Sequence, residues 1–194
     1  MVQRNIPQQL LIAGLDRFHG HGYHGTAVQD ITTTAQVPKG SFYNHYASKE
    51  ALAVAAIHQY VADSPVQVLF DPTIASPVAR VRAHFDALRR NFEDSGMTRG
   101  CLLGNLSNEV ADHSETIRAA LEQAFAAWVA VISHVLEAAC EEGEIPADLD
   151  APTAAGFLIN AWEGALLRAR ASKSADPIDA FYALTFSVVL KLSS

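Results

Sequence analysis

The residues with the clearest chemical potential lie between Val37 and Tyr46, in the stretch VPKGSFYNHY. Lys39 brings a positive charge, Tyr43 and His45 bring groups that hydrogen-bond phosphodiester oxygens, and Asn44 carries an amide suited to reading a base edge. Gly40 and Ser41 are small, so another backbone can approach closely, and a helix N-terminus placed there favours phosphate. Phe42 and Tyr46, four residues apart, share one face and can anchor such a helix from behind. This combination suits a helix that presents its N-terminal residues to a major groove. A solvated hairpin inside a larger helical bundle is the alternative that the same residues allow.

Positioning these groups requires a small helical scaffold, and the preceding residues supply its pattern. Leu10, Leu11, Leu15 and Phe18 recur at helical spacing from about Pro7, and the Gly- and His-rich His19–Gly25 ends that run. The spacing of Thr26 to Gln29 predicts a capping box opening a second, short helix that ends near Ala35. Val28, Ile31 and Ala35 share its inward face. Pro38 suits the first turn of a third helix ending by about Tyr46. Residues 26–46 therefore have the size and arrangement of a helix-turn-helix. Ser48 is the expected N-cap of a fourth helix with Glu50 in its first turn.

Beyond it, Pro65, Pro72 and Pro77 interrupt the chain, and helical periodicity returns at about 78–95, 101–111, 114–141, 151–172 and 177–192. Strand signals are nearly absent, so the expected fold class is all-α. An N-terminal three-helix helix-turn-helix domain, 1–47, is joined to a C-terminal helical bundle, 48–194. Apolar residues make up 49% and charged residues 18% of 194, enough for a sizeable core and too apolar for a disordered chain.

The formal charge of −7 argues against general nucleic-acid adhesion. It is unevenly distributed. Residues 1–62 hold Arg4, Arg17, Lys39 and Lys49 against Asp16, Asp30 and Glu50, a net of +1, which leaves −8 for the remainder. The longest uninterrupted apolar run, Ala124–Ile132, is short for a membrane span, and no secretory leader pattern opens the chain. Cys101 and Cys140 are too few for a disulfide framework and lack zinc-ligand spacing. A reducing cytoplasm is the expected compartment.

The stretch HGYHGTAVQDITTTAQVPKGSFYNHYASKEAL, His21 to Leu52, resembles the N-terminal signature of the TetR family of bacterial transcriptional regulators. The resemblance rests on Gly-Tyr and Thr before the second helix, Asp-Ile within it, the Lys-Gly-Ser and aromatic pairs, and Ser48-Lys49-Glu50. It implies a homodimer whose two heads enter successive major grooves of a double-stranded DNA operator. It also implies Thr26, Lys39, Ser41, Tyr43, His45 and Lys49 as DNA contacts, to which the residue types add Gly40 and Asn44. Gln36 stands where family members often have Gly, and Thr32, Thr33 and Thr34 stand at Ala-rich positions.

The resemblance further implies a C-terminal domain that binds a small-molecule effector and dimerises through the last two helices. Phe157, Leu158, Ala161, Ala165 and Leu166, with Ile178, Phe181, Tyr182 and Val189, are the expected interface stripes; each is equally compatible with the protomer's own interior. Phe92, Asn105, Phe125, Trp128, Trp162 and Glu163 are candidate effector contacts, since ligand pockets are mostly apolar with a few placed polar groups.

Cys101 follows Gly100 and Arg99 at an expected helix N-terminus, where dipole and cation favour the thiolate. The Gly-Cys-Leu segment with Leu106-Ser107-Asn108-Glu109-Val110 resembles a family branch answering electrophiles and small unsaturated acids. Two roles stay open for Cys101: an effector-proximal or reactive thiol, and an inert packed side chain. His19, His21 and His24 lack a carboxylate or Cys spaced to complete a metal site, so no metal or cofactor is expected. No catalytic constellation or phosphate loop is present either, so a helical enzyme with an incidental helix-turn-helix is the remote alternative to a ligand-responsive repressor.

Overall fold

The computed structural model of the chain describes residues 5–190. Among them the structure is helical throughout, without strands. Helix α1 (Ile6–His21) is capped by the Asn5 side chain and ends where Gly22 takes a left-handed φ of 76°. Helices α2 (Val28–Thr34) and α3 (Gly40–Tyr43) follow, then α4 (Lys49–Ala62), whose N-cap Ser48 accepts from the Ala51 N–H at 3.0 Å. A 3-10 turn over Pro65–Phe70 leads to α5 (Pro77–Asp94), α6 (Leu102–Val110) and α7 (Glu115–Glu141). The last long helices are α8 (Ala151–Ser172) and α9 (Asp176–Leu184), and α9 relaxes into a π turn over Thr185–Val189 rather than continuing as an α-helix.

Two compact units emerge. The first comprises the described residues through Ser64 together with Cys101–Phe125. Its core holds Leu10, Phe18, Ile31, Phe42, Leu52 and Ile57, all fully buried. Gly14 is where α1 and α4 touch: a Cβ there would meet Leu52 Cδ2 at 2.7 Å. Leu102, Leu106 and Ile117, also fully buried, come from α6 and the start of α7.

The second unit comprises Pro65–Gly100 and the described residues from Ala126 onward. Phe85, Trp162 and Phe181 form its aromatic centre, with ring centroids 4.9 to 5.3 Å apart. Such edge-to-face and tilted packing is worth about 0.5–1.5 kcal/mol per pair beyond the burial itself. Arg89 closes one side, donating to Glu93 and Asp179 at 2.7 Å each. By length and composition alone α7 could cross a membrane. Within this fold, however, Ile117, Leu121, Ile132, Val135 and Leu136 turn one of its faces into protein interior.

Two local expectations are corrected, and one left open between interface and interior is resolved residue by residue. Thr26 does not cap α2: the N-cap is Ala27, whose N–H donates to the Asp30 carboxylate at 2.8 Å, while the Thr26 hydroxyl turns back to the Gly22 carbonyl. Pro38 precedes α3 instead of lying within it; its carbonyl accepts from Ser41 N–H at 2.9 Å and so starts the turn. Of the expected dimer stripes, Leu158, Ala165, Leu166, Ile178, Phe181 and Tyr182 are buried within the protomer. The apolar side chains that α8, α9 and the π turn leave in solvent are Phe157, Leu167, Leu184 and Val188, each more than half exposed.

Candidate nucleic-acid interface and effector residues

The turn before α3 sets its direction. Val37 N–H donates to the Thr32 carbonyl and Gln36 N–H to the Thr33 carbonyl, the paired bonds of a Schellman end to α2. Gln36 occupies the left-handed position of that motif at φ 55°, where glycine is the unstrained choice. α3 is then fixed from behind. Phe42 is fully buried, its ring lies 6.0 Å from that of Tyr46, and the Tyr46 hydroxyl donates to the Pro7 carbonyl at 3.2 Å. Burial of the Tyr46 phenol raises its pKa, so it stays a donor at neutral pH.

With that side anchored, the other is open. Lys39, Gly40, Tyr43, Asn44 and His45 are exposed and Ser41 is half-buried, so six of the eight candidate DNA contacts are accessible in and around α3. Tyr43 stands 60% exposed. A Cβ added at Gly40 would meet nothing within 4 Å, so the fold itself sets no steric demand for glycine there.

Thr26 and Lys49 lie elsewhere. Thr26 is fully buried, and its hydroxyl donates to Gly22 O at 2.7 Å with Arg17 O at 3.2 Å as the alternative. Lys49 Nζ donates to the carbonyls of Tyr23 and Thr26, both at 3.0 Å, and sits 4.0 Å from the centre of the Tyr23 ring. Burial pulls its pKa below the ordinary lysine value, while the Glu109 carboxylate acts in the opposite sense. Both side chains knit the α1–α2 connection together.

The helices that carry this exposed segment, and those that follow, match known families of proteins. Residues 10–56 match the model described as bacterial regulatory proteins, tetR family, and residues 77–185 the one described as a tetracyclin repressor-like C-terminal domain. The chain belongs to the TetR family. It is 34% identical to the transcriptional repressor DhaR of Mycobacterium sp. (strain GP1), over 98% of this chain and 95% of that one. Among solved structures, a regulatory protein TetR from Rhodobacter sphaeroides superposes with a TM-score of 0.87 at 32% identity, covering 96% of this chain and 98% of that one. The reduced form of Escherichia coli NemR superposes with a TM-score of 0.88 at 28% identity, over 98% of each chain. This TetR-family member is therefore a ligand-responsive DNA-binding transcriptional regulator.

The candidate effector residues of this TetR-family chain divide between the units. In the second, Phe92 and Trp162 are buried, and Trp128 and Glu163 half-buried. His84, 1% exposed in the charged helix α5 of that unit, carries no motif or spacing that marks it in advance. Trp128 Nε1–H donates to His84 Nε2 at 3.0 Å, so the ring's proton sits on Nδ1, which donates to the Pro65 carbonyl at 3.1 Å. Desolvation lowers the His84 pKa, against a smaller upward pull from the Pro65 hydrogen bond.

In the first unit, Cys101 is the N-cap residue of α6 and 8% exposed, with Asn105 one turn later and Phe125 on α7. Neither cysteine is in a disulfide. Among the described residues no three His, Cys, Asp or Glu side chains gather as a metal site; His24 faces His113 and His19 faces Tyr60.

Proposed function

We propose that this protein is a cytoplasmic homodimeric repressor released from its operator by a small-molecule effector. Lys39, Gly40, Ser41, Tyr43, Asn44 and His45 are its groove-facing residues, while Thr26 and Lys49 shape the support behind them. The observation that carries this reading is the exposed edge of α3 seated on fully buried Phe42. A side chain locked from behind by packing holds its neighbours in one pose, as groove recognition requires. The DNA-reading helices lie within 1–47, in one compact unit with 48–64 and 101–125, and the effector and dimerisation functions are proposed for 48–194. Phe92, Trp128, Trp162 and Glu163, all in the second unit, are proposed to contact the effector. The two copies meet through Phe157 and Leu167 of α8 and Leu184 and Val188 beyond it. The ligand acts by favouring the released conformation over the bound one.

A gel-shift assay with the DNA upstream of the protein's own coding region tests it. A specific shift that survives excess unrelated competitor, and is lost in a Tyr43→Ala, Asn44→Ala double variant, is the expected result. No specific shift from a folded dimer at low salt would overturn it.

A second reading concerns Cys101. Its place as the N-cap residue of α6 supports a thiol-based switch, in which an electrophile alkylates the sulfur and the added bulk displaces the helix.

A further inference from the structure

The connection between α1 and α2 leads from the first helix into the DNA-reading pair. It contains Gly22 at φ 76° and Gly25, where a Cβ would meet the His21 carbonyl oxygen at 2.3 Å. A turn built on two glycines needs an external hold. Lys49 of α4 supplies part of that hold through the Tyr23 and Thr26 carbonyls, and the far end of α6 supplies another part. The Glu109 carboxylate accepts from the His24 N–H at 3.1 Å, and the Glu109 carbonyl lies 3.3 Å from His24 Nε2. The approach is close enough that a Cβ on Gly22 would fall 2.0 Å from Glu109 Oε1. Glycine at 22 thus makes room for this carboxylate.

The contact leads directly to the start of α2. Gly22 O accepts from the Thr26 hydroxyl, Thr26 O accepts from Lys49 Nζ, and Ala27 then caps α2. A second link runs in parallel, with the Ser114 hydroxyl donating to the Glu50 carboxylate at the first turn of α4. Through α2 and its Schellman turn, the position of the α1–α2 connection fixes where α3 points.

We propose that Glu109 is a positioning residue for operator binding: its carboxylate pins the α1–α2 turn to α6, so the pose of the DNA-reading helices is set through α6. The inference rests on the DNA-binding reading and names the residue through which α6 acts on it. What matters is reach and an acceptor oxygen, so Glu109→Gln keeps the function. Glu109→Asp keeps the charge but withdraws the oxygens by about 1.5 Å, one C–C bond, and loses it.

The test compares Glu109→Gln, Glu109→Asp and Glu109→Ala with the wild type by three readouts: hydrogen exchange of the His24 amide, affinity for the upstream DNA fragment, and affinity for unrelated DNA. For the Asp and Ala variants the expected results are roughly tenfold faster exchange and roughly tenfold weaker operator binding. Affinity for unrelated DNA and the melting temperature stay near wild type. Gln stays within about twofold on every readout. An Asp variant matching wild type while Gln fails would make charge the cause and overturn the proposal. So would unchanged operator affinity in all three, or a parallel loss of operator binding, unrelated-DNA binding and melting temperature. If the wild type itself binds no operator, the DNA reading falls. The pin is then judged on His24 exchange alone, and unchanged exchange in the Asp variant overturns it.

Discussion

Trp128 and His84 hold one another in a single protonation state. The indole N–H can only donate, so His84 Nε2 must carry a lone pair, and the remaining proton is committed to Pro65 O at 3.1 Å. A protonated imidazole would face the indole donor with a second N–H in a buried site.

The pH dependence of stability follows with a definite sign. The folded-state pKa of His84 is lowered by desolvation, so the unfolded chain binds more protons once pH falls to about 6.5, the free histidine value. Stability contributed by neutral His84 is complete above that pH. It declines as pH drops toward the depressed folded value, by up to about 1.4 kcal/mol per pH unit. Thermal melts between pH 7.5 and 5 check this. The slope below 6.5 should shrink in His84→Gln, and an identical slope in that variant rejects His84 as its source.

Gly40→Ala separates fold from function. The added Cβ enters open space. The substitution should leave the melting temperature unchanged or raise stability by up to about 1 kcal/mol. If a duplex lies against Gly40, the same methyl group weakens operator binding roughly tenfold or more. A variant that is equally stable and binds equally well would remove Gly40 from the interface.

The exposed apolar face of the C-terminal helices gives a test of assembly. Phe157 and Leu167 are 53% and 61% exposed on α8. Replacing both by Arg should yield a monomer in sedimentation velocity with unchanged helical content. Operator affinity should then drop about 10²-fold, because two linked heads bind with a high effective concentration that a single head lacks. A dimer that persists in the double variant places the interface elsewhere.

Cys101 offers a chemical test. Treatment with N-ethylmaleimide should lower the operator affinity of the wild type at least about tenfold if the α6 thiol is the switch, while Cys101→Ser stays bound. Release of both to the same extent excludes the thiol mechanism and leaves non-covalent effector binding.

Much of this arrangement was readable from local spacing. Phe42 and Tyr46 are four apart, and the structure uses them as the anchor that spacing implies. Ser48 caps α4, and α8 spans the expected 151–172. What the sequence concealed depends on tertiary neighbours. Leu158 and Leu166 are buried where Phe157 and Leu167 are exposed, a rotation of about 100° per residue that periodicity alone does not assign to one partner or the other. Thr26 and Lys49 have residue types suited to DNA, yet backbone carbonyls nearby claim both. Ala27 has no capping side chain, so only Asp30 three residues later marks where α2 begins. His84 becomes distinctive only when Trp128, 44 positions away, meets it.

Lys49 is half-buried with its ammonium on the Tyr23 and Thr26 carbonyls, which leaves Lys39 as the one exposed lysine among the described residues before 65. With so few cations to displace counterions, the head is expected to bind unrelated sequence weakly and with little dependence on ionic strength. The bulk genome then sequesters few molecules. On the proposed function, a small cellular copy number would then suffice to keep the target promoter occupied, and a molecule freed by effector would return to solution instead of lingering on neighbouring DNA.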